Sequence, residues 1–196
     1  MAIIVTNKHS FFDNLQNASV FFKDFSNLEN NTSTKKEDND FTLIFSNDKI
    51  VGININNVNK YFKVKEGFHK INFEQKKYLL DKFSKYLKEE DFDAFYKIGT
   101  IKKISKHPSS DKLKILNVIF SDKERQIITN VQIVEENKNY LFATNGSITY
   151  SGLRIIDSKV MNEKSEGMIM SYKSLGIEKE GLVDCSNSSI NDEYEF

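Results

Sequence analysis

The stretch KHPSSDKLKILNV, Lys106 to Val118, sets the chain's only proline between two runs that mix lysines with apolar residues. Pro108 fixes its own φ and biases His107 toward extended backbone, and Ser109, Ser110 and Asp111 are residues whose side chains bond to nearby backbone N–H groups. The stretch therefore reads as a stiff turn between two strands, with Asp111 as a turn or cap acceptor. Outward from it the texture repeats: FYKIGTIKKI precedes, and RQIITNV, NYLFATN and LRIIDSKVM follow at close intervals. Five short strands separated by turn residues predict a small closed barrel. In the first of them Gly99 marks a bulge or sharp bend. GMIMSYKSLG, Gly167 to Gly176, predicts a short helix that plugs or flanks the barrel.

Ahead of about residue 94 the pattern differs. SFFDNLQNASVFFKDF suits a strand followed by a turn or a second strand, and Asn31 to Asp40, without an apolar residue, reads as an exposed loop or hairpin tip. Two strands, 41–45 and 49–55, flank Ser46-Asn47-Asp48-Lys49 as a hairpin. Leu79, Leu80, Phe83, Tyr86 and Leu87 recur at helical spacing and predict a helix over 73–89. Asn72 caps it, with Gln75 three residues on in the capping-box position. The acidic EEDFD that follows is a domain boundary.

The 196 residues balance 28 Lys and Arg against 28 Asp and Glu, so no net field draws the protein to nucleic acid or membrane, and any basic surface is local. No segment approaches the roughly 20 apolar residues of a membrane span, and no secretory leader is visible. The single cysteine, Cys185, excludes an intrachain disulfide and any zinc site needing two thiolates. A soluble cytoplasmic protein is the expectation.

HPSSDKL contains Ser, His and Asp, yet adjacency on one loop does not make a triad converge, and no nucleophile elbow accompanies it. His9, His69 and His107 lie far apart with no second strong ligand at metal-site spacing. Among eight glycines no phosphate-cradling loop occurs. Neither catalysis nor a cofactor is expected. Charge placement remains: between Tyr96 and Ile115 six lysines (Lys97, Lys102, Lys103, Lys106, Lys112 and Lys114) meet one acid, Asp111, for a net +5. Pairing of the flanking strands would gather them at one rim, either to attract phosphate or as solvated lysines guarding a strand edge. For His107, donation to a phosphate or ribose hydroxyl and simple packing at the barrel mouth stand side by side.

Two blocks carry a resemblance. Lys106, His107, Pro108, Asp111, Lys112 and Leu113 match K-H-P-x-x-D-K-L, and Ser165, Gly167, Met168 and Ser171 match S-x-G-M-x-x-S. In this order, with strands between them, they resemble the tRNA-binding OB domain of bacterial phenylalanyl-tRNA synthetase beta chains, many methionyl-tRNA synthetases and free-standing tRNA-binding proteins. FTLIFSNDKIVGININNVNKYF, the capped helix and FDAF resemble the upstream domain of the YtpR family. The resemblance implies an α+β N-terminal domain, residues 1–92, followed by a mainly-β OB-fold barrel, residues 93–196, and tRNA binding without catalysis. It departs at Asn130-Val131-Gln132-Ile133, where the family has a Gly-Ala-x-Asn turn, and at Asn162-Glu163-Lys164, where it has Arg-Gly. The expected RNA-binding residues are Lys102, Lys103, Lys106, His107, Lys112, Lys114 and Ser165. Alternatives are a general single-strand-binding module that stacks bases on Tyr96, Phe120 or Phe142, and a protein-interaction module that associates with an aminoacyl-tRNA synthetase. A homodimer is compatible with each.

Overall fold

The computed structural model describes residues 3–6, 18–22, 32–64, 67–92 and 96–194. His9, most of the Phe-rich N-terminal stretch and residues 93–95 of the expected boundary lie outside the described residues. The chain divides into two compact units, one of residues 1–94 with 148–154, the other of residues 95–147 with 155–195. The described structure is mostly β, and none of its helices is long and apolar enough to cross a membrane.

The first unit holds β1 (Ile3–Thr6), β2 (Ala18–Phe21), β3 (Thr32–Lys36), β4 (Phe41–Ser46), β5 (Lys49–Ile55), β6 (Gly67–Lys70) and α1 (Phe73–Lys82). Its six strands form an antiparallel sheet in the order β3-β4-β5-β2-β1-β6. The β4–β5 hairpin falls where the turn residues put it: Asn47 and Asp48 both take left-handed backbone (φ 48 and 62), which short polar side chains tolerate. The capping box is present, since Asn72 accepts from the Gln75 N–H and the Gln75 side chain accepts from the Asn72 N–H. Phe41, Leu43, Ile53, Ile55 and Leu79 are fully buried in one cluster with Phe83 and Leu87.

Two expectations are corrected here. The helix stops at Lys82 rather than residue 89, because Phe83 leaves helical geometry (φ −115, ψ 30) where its ring packs edge-on against Phe41 at 5.4 Å. Residues 32–36 are the edge strand β3, exposed along its whole length, which leaves 37–40 as the hairpin tip; with no apolar face, the strand gives no sequence signal, and pairing to β4 together with the Lys35 bond to the Tyr86 hydroxyl orders it. The end of that stretch is also structured. Asp40 is buried, and its carboxylate accepts from the Tyr61 hydroxyl (2.5 Å), Lys60 (2.9 Å) and Asn57 (2.9 Å), which hold it well below the usual carboxylate range.

The second unit holds β7 (Tyr96–His107), β8 (Ser110–Ile119), β9 (Glu124–Thr129), β10 (Asn139–Ala143), β11 (Ser158–Val160), β12 (Glu163–Ser165) and β13 (Met168–Ile169). Five of these make a sheet in the order β13-β10-β7-β8-β9, and β11 and β12 form a separate hairpin. LRIIDSKVM does hold a strand, β11, but in the separate hairpin; the fifth strand of the sheet is Met168–Ile169, from the stretch expected to be helical, where only Lys173–Leu175 is a 3₁₀ turn. Hydrophobicity explains the exchange, since Ile169 and Met170 are buried while Leu153, Ile156 and Met161 are exposed. The segment before β13 bridges the sheet's two edges: the Glu166 N–H donates to the Gln126 carbonyl (2.8 Å) on β9, and β13 pairs with β10. Inside lie Ile101, Leu116, Val118, Ile127 and Phe142, all fully buried, each side chain stabilising the unit by about 1.5–3 kcal/mol.

Gly99 is not a bulge. It stands in register opposite Tyr140, and a Cβ there would meet Val118 Cγ1 and Phe120 Cε1 at 2.6 Å, so glycine lets these core side chains cross the strand. Between β8 and β9, Asp122 is gripped by both arms of Arg125 (2.8 and 2.6 Å) and by Lys97 (2.9 Å). The Arg125 hydrogen bonds, followed by that from Lys97, hold its carboxyl well below the ordinary range. A depressed carboxyl contributes stability above its unfolded-state value and loses it as pH falls through the folded one. The contribution of Asp122 is therefore lost as pH falls below about 4, and Asp122→Asn is expected to flatten Tm against pH between about pH 4 and 2; an unaltered slope in thermal melts counts against this ion triad.

Candidate nucleic-acid interface

The β7–β8 hairpin extends past the buried core, and sequence decides which side chains it carries outward. Ile101 pairs with Val118 and Lys103 with Asn117, so Lys102 is the extra residue of a β-bulge. A bulge breaks the strict alternation of a strand, and two consecutive lysines, Lys102 and Lys103, are both exposed as a result. Farther along, Lys106 lies directly opposite Lys114 across the two strands. Like charges in direct opposition are destabilising.

Not all of these ammonium groups are equally available. Lys114 donates to the Gln132 carbonyl at 2.8 Å, and Lys102 lies 3.3 Å from Glu124 in an ion pair whose partners are both more than half exposed, a pair of little worth in water. Lys103, Lys106 and Lys112 are exposed and have no acidic partner among the described residues. The Asn130–Ile133 departure has a role that sequence reasoning missed: the Gln132 side-chain amide donates to the Lys112 carbonyl (3.1 Å) and the Asn130 carbonyl (3.0 Å), clasping β8 while its own carbonyl orients Lys114. A long amide just after a strand is the available signal.

The turn itself is Pro108-Ser109, with His107 pairing to Ser110 beyond a second register shift. His107 is buried, at 4% exposure. Its Nδ1 accepts from the Ser109 N–H (3.1 Å) and its Nε2 lies 3.1 Å from the Val160 carbonyl, to which it donates in the matching tautomer. Both ring nitrogens are thus engaged within the protein, and they tie the β7–β8 turn to the β11–β12 hairpin. Asp111 is not the turn acceptor: it is exposed, its carboxylate accepts no hydrogen bond from the described residues, and Ser110 Oγ accepts from the Lys112 N–H instead (3.3 Å). Ser165 is also buried, accepting from the Ile128 N–H (3.1 Å) and donating to the Gly167 carbonyl (3.3 Å). Tyr96, Phe120 and Phe142 are buried in the core, so none presents a face for base stacking.

A β-sheet unit with a bulged, lysine-bearing hairpin at its rim offers a local basic surface suited to a phosphate-rich ligand. Residues 96–191 match the family described as "Putative tRNA binding domain". The phenylalanine–tRNA ligase beta subunit of Mycoplasmopsis pulmonis (strain UAB CTIP) is 35% identical over 88 residues, covering 45% of this chain and 12% of that one. "Putative tRNA-binding protein YtpR" of Bacillus subtilis (strain 168) is 29% identical over 111 residues, 54% of this chain and 55% of its own. The chain thus spans little more than half of one relative and a small part of the other. A solved MetRS related protein from Pyrococcus horikoshii shares 31% identity over 39% of this chain and 66% of its own, with a TM-score of 0.32.

Proposed function

We propose that the protein binds folded tRNA in the cytoplasm and catalyses no reaction on it. In this proposal residues 93–196 are an OB barrel with a C-terminal extension that docks on the RNA, and residues 1–92 are an α+β domain ahead of it. The observation that carries it is the opposed Lys106–Lys114 pair, flanked by Lys103 and Lys112, which have no acidic partner among the described residues. A polyanion relieves the repulsion that the fold alone leaves standing. Lys102, Lys103, Lys106, Lys112 and Lys114 supply the phosphate contacts. His107 and Ser165, bonded within the protein, serve by holding their loops in place. Folded RNA offers phosphates and 2′-hydroxyls in a fixed shape, and burial of Tyr96, Phe120 and Phe142 leaves those rings unable to stack single-stranded bases.

The test is titration of the full chain with labelled bulk tRNA at 50 and 200 mM salt, with unlabelled single-stranded RNA as competitor. About five phosphate contacts predict a loss of roughly several hundredfold in affinity between those salts, with the single-stranded competitor much weaker than tRNA. Equal competition per nucleotide, or no salt dependence, overturns the proposal.

A further inference from the structure

Among the described residues, two hairpins turn through a pair of left-handed residues. The β4–β5 turn uses Asn47 and Asp48 at φ 48 and 62, and the β11–β12 turn uses Met161 and Asn162 at φ 47 and 74. Left-handed backbone suits Gly, Asn and Asp and is unfavourable for a long side chain. The first turn obeys this chemistry. In the second, Met161 occupies the first position and leaves its side chain 53% exposed. Neither turn geometry nor core packing accounts for a methionine there, since a shorter polar residue would make the better turn without emptying any part of the core.

The surroundings indicate what would. Lys159 and Lys164 are opposed across the hairpin, a second like-charge pair of the Lys106–Lys114 kind. Glu166 neutralises Lys164 at 2.8 Å, whereas Lys159 is exposed with no acidic partner among the described residues. The hairpin is held next to its turn, at Val160, by the bond from His107 in the turn that follows Lys106. An exposed, polarisable thioether two residues along the same hairpin from an ammonium group that no carboxylate among the described residues neutralises suits a ligand that combines a flat π-face with a phosphate.

We infer that the β11–β12 hairpin is a second RNA-contacting arm, in which Met161 packs on a nucleotide base and Lys159 takes a neighbouring phosphate. The inference rests on the tRNA-binding proposal, and its test separates the two. The full chain, Met161→Asn, Lys159→Gln and Lys103→Glu are titrated with bulk tRNA at two salt concentrations and melted in parallel. Asparagine keeps the left-handed turn, so Met161→Asn is expected to melt at or above the wild-type temperature while binding tRNA about three- to tenfold more weakly, at an unchanged salt slope. Lys159→Gln is expected to lower the salt slope by about one. If the wild-type chain binds no tRNA, the tRNA-binding proposal itself fails. If wild type binds, Lys103→Glu weakens it, and both Met161→Asn and Lys159→Gln bind with wild-type affinity and slope, the hairpin is no RNA arm and this inference alone falls.

Discussion

Replacing three lysines at once, as Lys103→Glu/Lys106→Glu/Lys112→Glu, is expected to weaken tRNA binding at least about a hundredfold near 100 mM salt and to reduce the salt slope by about three. Each of these ammonium groups is exposed and without an acidic partner among the described residues, so each charge reversal removes an attraction for phosphate and breaks no internal ion pair. Stability moves the other way. In the wild type Lys106 faces Lys114 directly; the glutamate converts a repulsive cross-strand pair into an attractive one, worth about 0.2–1 kcal/mol. Exposed substitutions elsewhere on the hairpin contribute little. A variant that melts at or slightly above the wild-type temperature and fails to bind tRNA therefore separates binding from folding in a single protein. Unchanged affinity and slope would remove this rim from the binding surface.

What the sequence reveals and what it hides divide along the range of the interactions. The Asn72–Gln75 capping box, the Asn47–Asp48 hairpin and the Pro108–Ser109 turn depend on neighbours within four residues, and each is legible in local residue chemistry. The lysine cluster is visible as charge, but its geometry is not. The bulge at Lys102 and the opposition of Lys106 to Lys114 exist only once β7 has found its register on β8. His107 looks available in the sequence because its second partner, the Val160 carbonyl, lies 53 residues away. Met168–Ile169 reads as helix for the same reason. Two residues are too few to show a strand period, and only pairing with β10 makes them a strand. LRIIDSKVM yields only the short strand β11, outside the five-stranded sheet: Ile155 is buried, but Leu153, Ile156 and Met161 are exposed and cannot face the core.

Gly167→Ala is expected to be the most damaging single substitution in the second unit, at about 3 kcal/mol or more. The S-x-G-M block suits either an RNA contact or a device that fixes the shape of the sheet, and the geometry at Gly167 argues for the second. Its φ of +145 is in a region that side-chain-bearing residues rarely adopt, and a Cβ there would approach the Ala143 carbonyl oxygen to 2.5 Å. That oxygen cannot retreat easily, because Ala143 is paired on one side to Tyr96 of β7 and on the other to Met168 of β13. Behind it, Ile127 Cδ1 would lie at 3.4 Å. The same segment holds the bridging bonds of Ser165 and Glu166 to β9, so any shift that makes room for the methyl group strains the closure of the sheet. For a cooperative unit of roughly 100 residues this corresponds to a fall in Tm of about 12–20 °C. Ser165→Ala, which leaves the buried Ile128 N–H without its acceptor, is expected to cost about 1–3 kcal/mol. If Gly167→Ala melts within about two or three degrees of wild type, the block does not hold the sheet together and an RNA contact becomes the better account of it.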